Sequence, residues 1–211
     1  MMPPPLSPLS GRLPARGSPP HPALSPFARA HHEPVRRVTI GDVAASRHPL
    51  RLETVLGSCV SVCLFDPGTQ TGGMNHILVP SSRSDCLCAA RCGVQAMELL
   101  INAMMNLGAD RRRFVAKAFG GGSVLPGFPA PTVGDLNARF VRQFLAAEGI
   151  PLLAERMGGN KAVRVVFHPH TGRAFVRSVE GVRLPALVRE ETTYFNLAAT
   201  ERFPAEEPVI F

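Results

Sequence analysis

Residues 54–67, TVLGSCVSVCLFDP, read as one alternating strand, with Cys59, Ser61, Cys63 and Phe65 on one face and Val60, Val62 and Leu64 on the other. Both faces are largely apolar, so this strand cannot lie on a surface; it needs a layer above it and a layer below. That requirement constrains the fold more than any other segment of the chain. The turn residues Pro67 and Gly68 follow in DPGT, and GGMNHILVP returns as a second strand ending at Pro80. A buried hairpin therefore sits at the centre of the expected architecture.

The remaining elements fall around it. VRRVTIGDVAA, from Val35, has the β-branched content of a strand. From Asp85 to Leu107, Val94, Met97, Ile101, Met104 and Met105 recur at helical spacing, and Gly108 marks the stop. RFVAKAF is a strand running into GGGS at 120–123, and a second helix from about Gly134 carries Phe140, Val141, Phe144 and Leu145 on one face before Gly149. PLLAER leads through GGN at 158–160 into VRVVFHPHTGRAFVRSV, a hairpin turning at His170-Thr171-Gly172. Antiparallel hairpins around two helices predict an α+β fold with layered β-sheets, a sandwich-like core, flanked by helices.

Residues 1–34 hold ten of the 21 prolines and no apolar period, which reads as a disordered proline-rich leader without the apolar core of a secretion signal. The expected domain spans 35–185, with a C-terminal tail over 186–211. No run of eighteen apolar residues is present to cross a bilayer, so no membrane insertion is expected; five cysteines with no secretion signal ahead of them read as a reducing compartment, and the cytoplasm is the expected one. The net charge of +7 comes from scattered arginines, with lysine only at 117 and 161, no Trp and one Tyr. A nucleic-acid face needs a basic stripe, interleaved with aromatics where single strands are bound, so nucleic acid is not an expected partner.

Five cysteines, an odd number, argue against a disulfide framework and leave thiol chemistry or packing for each. Cys59 follows Gly57-Ser58, and His76 lies seventeen residues on. A four-residue loop at Asp66–Thr69, with Phe65 opposite Gln70, sets Cys59 directly opposite His76, close enough for a thiol and an imidazole to interact. A bulge at Gly72-Gly73 would turn His76 to the other face. Spacing alone leaves two readings open, a reactive pair or two residues packed in a core. Gly57 and Ser58 would let backbone approach a substrate, and amides around Cys59 could receive an oxyanion. Gly121 and Gly122 read either as a tight turn or as part of a substrate groove.

LGSCVSVCLFDP followed by GGMNHILVP resembles the chemoreceptor glutamine deamidase family, CheD. RCGVQAMELLINAM, AKAFGGGSVL and FLAAEGIPLLAERMGGNKAVRVVFHPHTGRAFVR match in the same order, so the resemblance covers about residues 38–180. It implies a cysteine hydrolase that converts glutamine side chains of methyl-accepting chemotaxis receptors to glutamate and releases ammonia, with Cys59 as nucleophile, His76 as base and no cofactor. The family's third member is a threonine shortly before the cysteine. Thr54 is nearest, although an offset of one residue would select Glu53. The resemblance also implies a CheC-type phosphatase as a partner, which leaves open a binding module without required catalysis.

A metal-binding domain is a separate reading, because CLCAARC brings Cys86, Cys88 and Cys92 together at the head of the first helix. No C-x-x-C knuckle occurs and a fourth ligand would have to come from afar, so no metal is expected.

Overall fold

The computed structural model describes residues 33–78, 86–124, 131–179 and 189, with the side chains of 86–92 outside that set. The leader and tail expectations, and the side chains of Cys86, Cys88 and Cys92, thus fall almost wholly outside the described residues. In chain order the elements are β1 (Val35–Arg37), β2 (Val43–Ser46), β3 (Arg51–Leu56), β4 (Val60–Asp66), β5 (Thr71–Asn75) and α1 (Cys86–Met105). A single 3-10 turn (Arg111–Arg113) precedes β6 (Val115–Gly120), α2 (Val133–Ala147), β7 (Leu152–Met157), β8 (Ala162–His168) and β9 (Arg173–Val179).

The strands form two mixed sheets, one ordered β1-β3-β8-β9 and the other β2-β5-β4-β6-β7. The α+β, layered architecture expected from the central strand is the one observed. Leu52, Leu56, Val163, Val165 and Phe167 of the first sheet pack with Cys59, Cys63, Met74 and Phe119 of the second in one apolar cluster. Val60, Val62 and Leu64 face the other way, onto Met97, Leu100, Ile101 and Met104 of α1 and Val141, Phe144 and Leu145 of α2. Each such buried side chain stabilises the fold by about 1.5–3 kcal/mol, and β4 lies in both clusters.

Three expectations about elements are corrected. VRRVTIGDVAA is two strands, because the Asp42 carboxylate accepts from Thr39 N–H and hydroxyl and folds the chain between the sheets, with β1 in one and β2 in the other. Likewise TVL and VSVCLFD are not continuous: Gly57–Cys59 carry the chain from β3 in the first sheet to β4 in the second. On α1, Leu100 joins Met97, Ile101 and Met104 in the core, whereas Val94 and Met105 are exposed, since the buried stripe follows Gly93, Met97, Leu100, Ile101 and Met104. The β1–β3 and β6–β7 pairs are parallel, the latter joined by α2 in a β-α-β crossover.

The Arg111–Arg113 run is tied to its own carboxylates. Arg113 grips buried Asp66 through Nε and Nη2 at 2.8 and 2.7 Å and holds that carboxyl well below its ordinary range, and Arg111 pairs with Glu98 and Glu148. These cations fasten the turn before β6 to the end of β4.

Candidate active site

Cys59 and His76 both lie on the inter-sheet face of the second sheet and are almost completely buried, at 0% and 3% exposure. The hairpin register differs from the expected one. Asp66 pairs with Thr71 and Cys63 with Met74, and the Val60–Ile77 bridge continues that alignment, so His76 stands across from Ser61 and diagonal to Cys59. The cause is Asp66, which stays in the strand and folds its carboxylate over the turn onto Gly68 N–H and the Thr69 hydroxyl; the loop is therefore residues 67–70. The slip is two positions, an even number, so His76 keeps the face of Cys59.

From the opposite sheet, Thr54 points into the same layer between Leu52 and Leu56, and its Oγ1 is 3.0 Å from His76 Nδ1. Glu53, the other candidate, faces away. Arg51 and Arg164 bind its carboxylate on the outer side of the first sheet, where burial pushes the carboxyl up but the two guanidinium hydrogen bonds outweigh it and hold it below its ordinary value.

His76 Nδ1 also lies 3.3 Å from the Val38 carbonyl. A carbonyl only accepts, so the neutral ring carries its proton on Nδ1 and keeps the lone pair on Nε2. Nε2 is buried without a hydrogen-bond partner among the described residues. Leaving such an atom unmatched costs about 1–3 kcal/mol, and a buried base held in one tautomer is a feature that chemistry can use. Burial pulls the His76 pKa down to about 4, against the opposing pull of the Val38 hydrogen bond and the Asp42 charge. The resting imidazole is neutral near pH 7. On the Cys63 thiol, four residues along the same face, burial acts in the other direction and pushes the pKa up, beyond the offsetting effects of Lys117 and Ser61. Neither Cys59 nor Cys63 is in a disulfide.

Comparison with known proteins supplies the family. The model of the CheD family, described as CheD chemotactic sensory transduction, matches residues 78–178, beginning just past His76. A protein of Laribacter hongkongensis named probable chemoreceptor glutamine deamidase CheD is 41% identical over 162 residues, covering 75% of this chain and 79% of that protein. A Burkholderia thailandensis protein named probable chemoreceptor glutamine deamidase CheD 1 is 44% identical over 161 residues, covering 74% and 68%. One from Herminiimonas arsenicoxydans with the same name as the first is 38% identical over 174 residues, covering 81% and 86%. The chain belongs to the CheD family. Among solved structures, a Neisseria meningitidis protein of family model DUF152 overlaps 61% of this chain and 63% of its own at 12% identity and a TM-score of 0.39, a partial likeness.

In this CheD chain the glycine-rich segments meet the turn that carries Cys59. Gly121 N–H donates to the Cys59 carbonyl at 2.7 Å and Gly122 N–H to the Gly57 carbonyl at 2.8 Å, so both amides are committed to holding that turn. Gly120 has φ +104°, and a Cβ there would collide with the Cys59 carbonyl. GGN joins the same cluster: Gly158 N–H donates to the Gly120 carbonyl, and Ser123 N–H to the Gly159 carbonyl. Gly57 and Ser58 form the turn itself, with Ser58 partly exposed.

Two asparagines were not singled out by the sequence reading. Buried Asn75 accepts from Val62 N–H and donates to the Ala96 carbonyl, tying β4 and β5 to α1 beside His76. Buried Asn137 of α2 donates to the Ser58 carbonyl at 2.9 Å. A signal existed for the second, since Asn137 falls one turn before Val141 on the apolar face of its helix, where a polar residue needs a reason.

Proposed function

We propose that this chain is a protein-glutamine deamidase that converts glutamine side chains on the cytoplasmic domains of chemoreceptors to glutamate, with Cys59 as nucleophile, His76 as acid and base, and Thr54 as the residue that orients His76. The observation that carries the reading is the setting of His76, whose Nδ1 lies 3.0 Å from Thr54 Oγ1 and 3.3 Å from the Val38 carbonyl while Nε2 is buried without a hydrogen-bond partner; this assigns the proton to Nδ1 and the lone pair to Nε2. The names of the relatives supply the substrate class.

The chemistry follows from those groups. His76 Nε2 takes the thiol proton as Cys59 Sγ bonds to the carboxamide carbon, and the carbonyl π pair moves onto oxygen. Nε2 then returns that proton to nitrogen, the C–N bond breaks and ammonia leaves, giving a thioester. Water, deprotonated by the same nitrogen, attacks the thioester; glutamate forms and Cys59 regains its proton. The imidazolium formed in each step keeps its Nδ1 proton on the Val38 carbonyl and Thr54 Oγ1, so the ring need not turn over. The net reaction consumes one water and releases one ammonia.

Among the described residues no helix is long and apolar enough to cross a membrane, and the proposed setting is the cytoplasm, where receptor signalling domains are accessible. The test is incubation with a receptor cytoplasmic fragment. Expected are ammonia release and +1 Da shifts at particular glutamine peptides, both abolished by Cys59→Ala in a chain of unchanged circular dichroism. Ammonia release that survives Cys59→Ala would end the reading.

A further inference from the structure

Asn137 stands apart from the residues that carry the proposed chemistry, yet it reaches the backbone on which Cys59 is mounted. Its side chain is fully buried on the α2 face that packs on the second sheet, and its Nδ2 donates to the Ser58 carbonyl 79 residues away in sequence. A trans peptide is planar, with carbonyl and N–H pointing in opposite directions. The Ser58 carbonyl points to α2, so the N–H of the same peptide, that of Cys59, points away from α2. The side away from α2 is the inter-sheet layer, which holds the Cys59 side chain, His76 and Thr54.

The peptide on the other side of the nucleophile is fixed as well. The Cys59 carbonyl accepts from Gly121 N–H, and Gly121 is itself wedged against Gly134 at the start of α2, where a Cβ on Gly134 would strike the Gly121 carbonyl. Both peptide planes flanking Cys59 therefore take their orientation from α2, one through a side-chain hydrogen bond and one through backbone contact. A buried amide on an apolar helix face is costly unless matched, which is the expected cost of a residue kept for orientation.

We infer that Asn137 is a positioning residue: by clamping the Ser58 carbonyl it aims the Cys59 N–H into the inter-sheet layer as a donor to the oxyanion that develops when Cys59 attacks the carboxamide. The inference rests on the deamidase reading above. Oxyanion donors act on the transition state and not on the bound ground state, so the effect belongs in kcat.

The experiment compares Asn137→Ala and Asn137→Asp with the unmodified chain on a receptor cytoplasmic fragment, with circular dichroism as the check on folding. Asn137→Asp keeps the side-chain shape but removes the donor. Expected is a fall in kcat of about 10²-fold with KM within about twofold. The rate of Cys59 alkylation by iodoacetamide, read by peptide mass spectrometry, should stay unchanged. That displacement of iodide by sulfur develops no oxyanion, whereas a collapsed turn would alter both rates. Undiminished kcat in either folded variant overturns the inference while leaving the deamidase reading intact, and so does a parallel fall in alkylation and turnover. Failure of both variants to fold assigns Asn137 a structural role only and also overturns it. No ammonia from the unmodified chain sinks the functional reading first, and the inference with it.

Discussion

Thr54 Oγ1 and His76 Nδ1 meet at 3.0 Å although they belong to different sheets, so the proposed base is oriented by a contact that exists only when the two sheets are packed together. Thr54→Val keeps shape and loses the hydroxyl. Since the Val38 carbonyl still holds Nδ1, the expected loss in kcat is partial, about 10- to 100-fold, with Thr54→Ser recovering most of it. Steady-state ammonia release from the three chains decides it, and Thr54→Val at full rate would remove Thr54 from the mechanism.

Glu53, one residue earlier, should behave in the opposite way. Glu53→Ala strands Arg51 and Arg164, and breaking a buried ion cluster from one side costs about 3–5 kcal/mol. Urea titration should show the lower midpoint, while the turnover of the folded fraction stays near that of the unmodified chain. A fully stable Glu53→Ala with lost turnover would exchange the roles given to these two neighbours.

Much of this site was legible because strand alternation is robust to error. The face shared by Cys59, Ser61 and Cys63 followed from period two alone, and His76 kept to that face even though the register moved by two. What the sequence could not carry was the break at Gly57–Cys59. TVL and VSVC alternate without interruption, and only the pairing of β3 with β8 and of β4 with β5 and β6 sends them to different sheets. The choice between Thr54 and Glu53 was undecidable for the same reason: it depends on which face of β3 looks across the gap. Asn75 and Asn137 act through long-range contacts to backbone, which leave no local spacing to read.

Cys63 shares a face with Cys59 and provides a control for thiol chemistry. Burial pushes its thiol up, so it stays protonated at neutral pH. Cys63→Ala should keep ammonia release within about twofold and cost about 1 kcal/mol of stability from the lost packing. A large loss of kcat without loss of structure would show that Cys63 takes part.

Gly120 tests how tightly the Cys59 turn is specified. Its φ of +104° and the Cys59 carbonyl beside it leave no room for a methyl group. Gly120→Ala should destabilise the chain by more than the ~1 kcal/mol of an ordinary glycine position, and any folded fraction should turn over slowly because the clash bears on the carbonyl of the proposed nucleophile. Thermal unfolding and ammonia release on the same samples separate the two effects. Gly149→Ala serves as the comparison, being also at positive φ (+65°) but with open space around it; it should lose stability and retain turnover per folded molecule.

The buried imidazole also links stability to pH. His76 titrates near 4 in the folded protein and near the ordinary histidine value of 6.5 when unfolded. Between those values the unfolded chain binds the extra proton, so acidification favours unfolding: the contribution is fully present above about 6.5 and is lost as pH falls toward 4. The slope is at most about 1.4 kcal/mol per pH unit for one proton. Glu53 and Asp66, whose folded pKa values are lowered, add losses of the same sign, but at the lower pH where carboxylates titrate. Urea midpoints measured from pH 7.5 to 4.5 should therefore fall more steeply for the unmodified chain than for His76→Gln, which cannot titrate. Parallel curves would mean that His76 titrates in the folded chain as it does in the unfolded one, and the lowering attributed to its burial would be withdrawn.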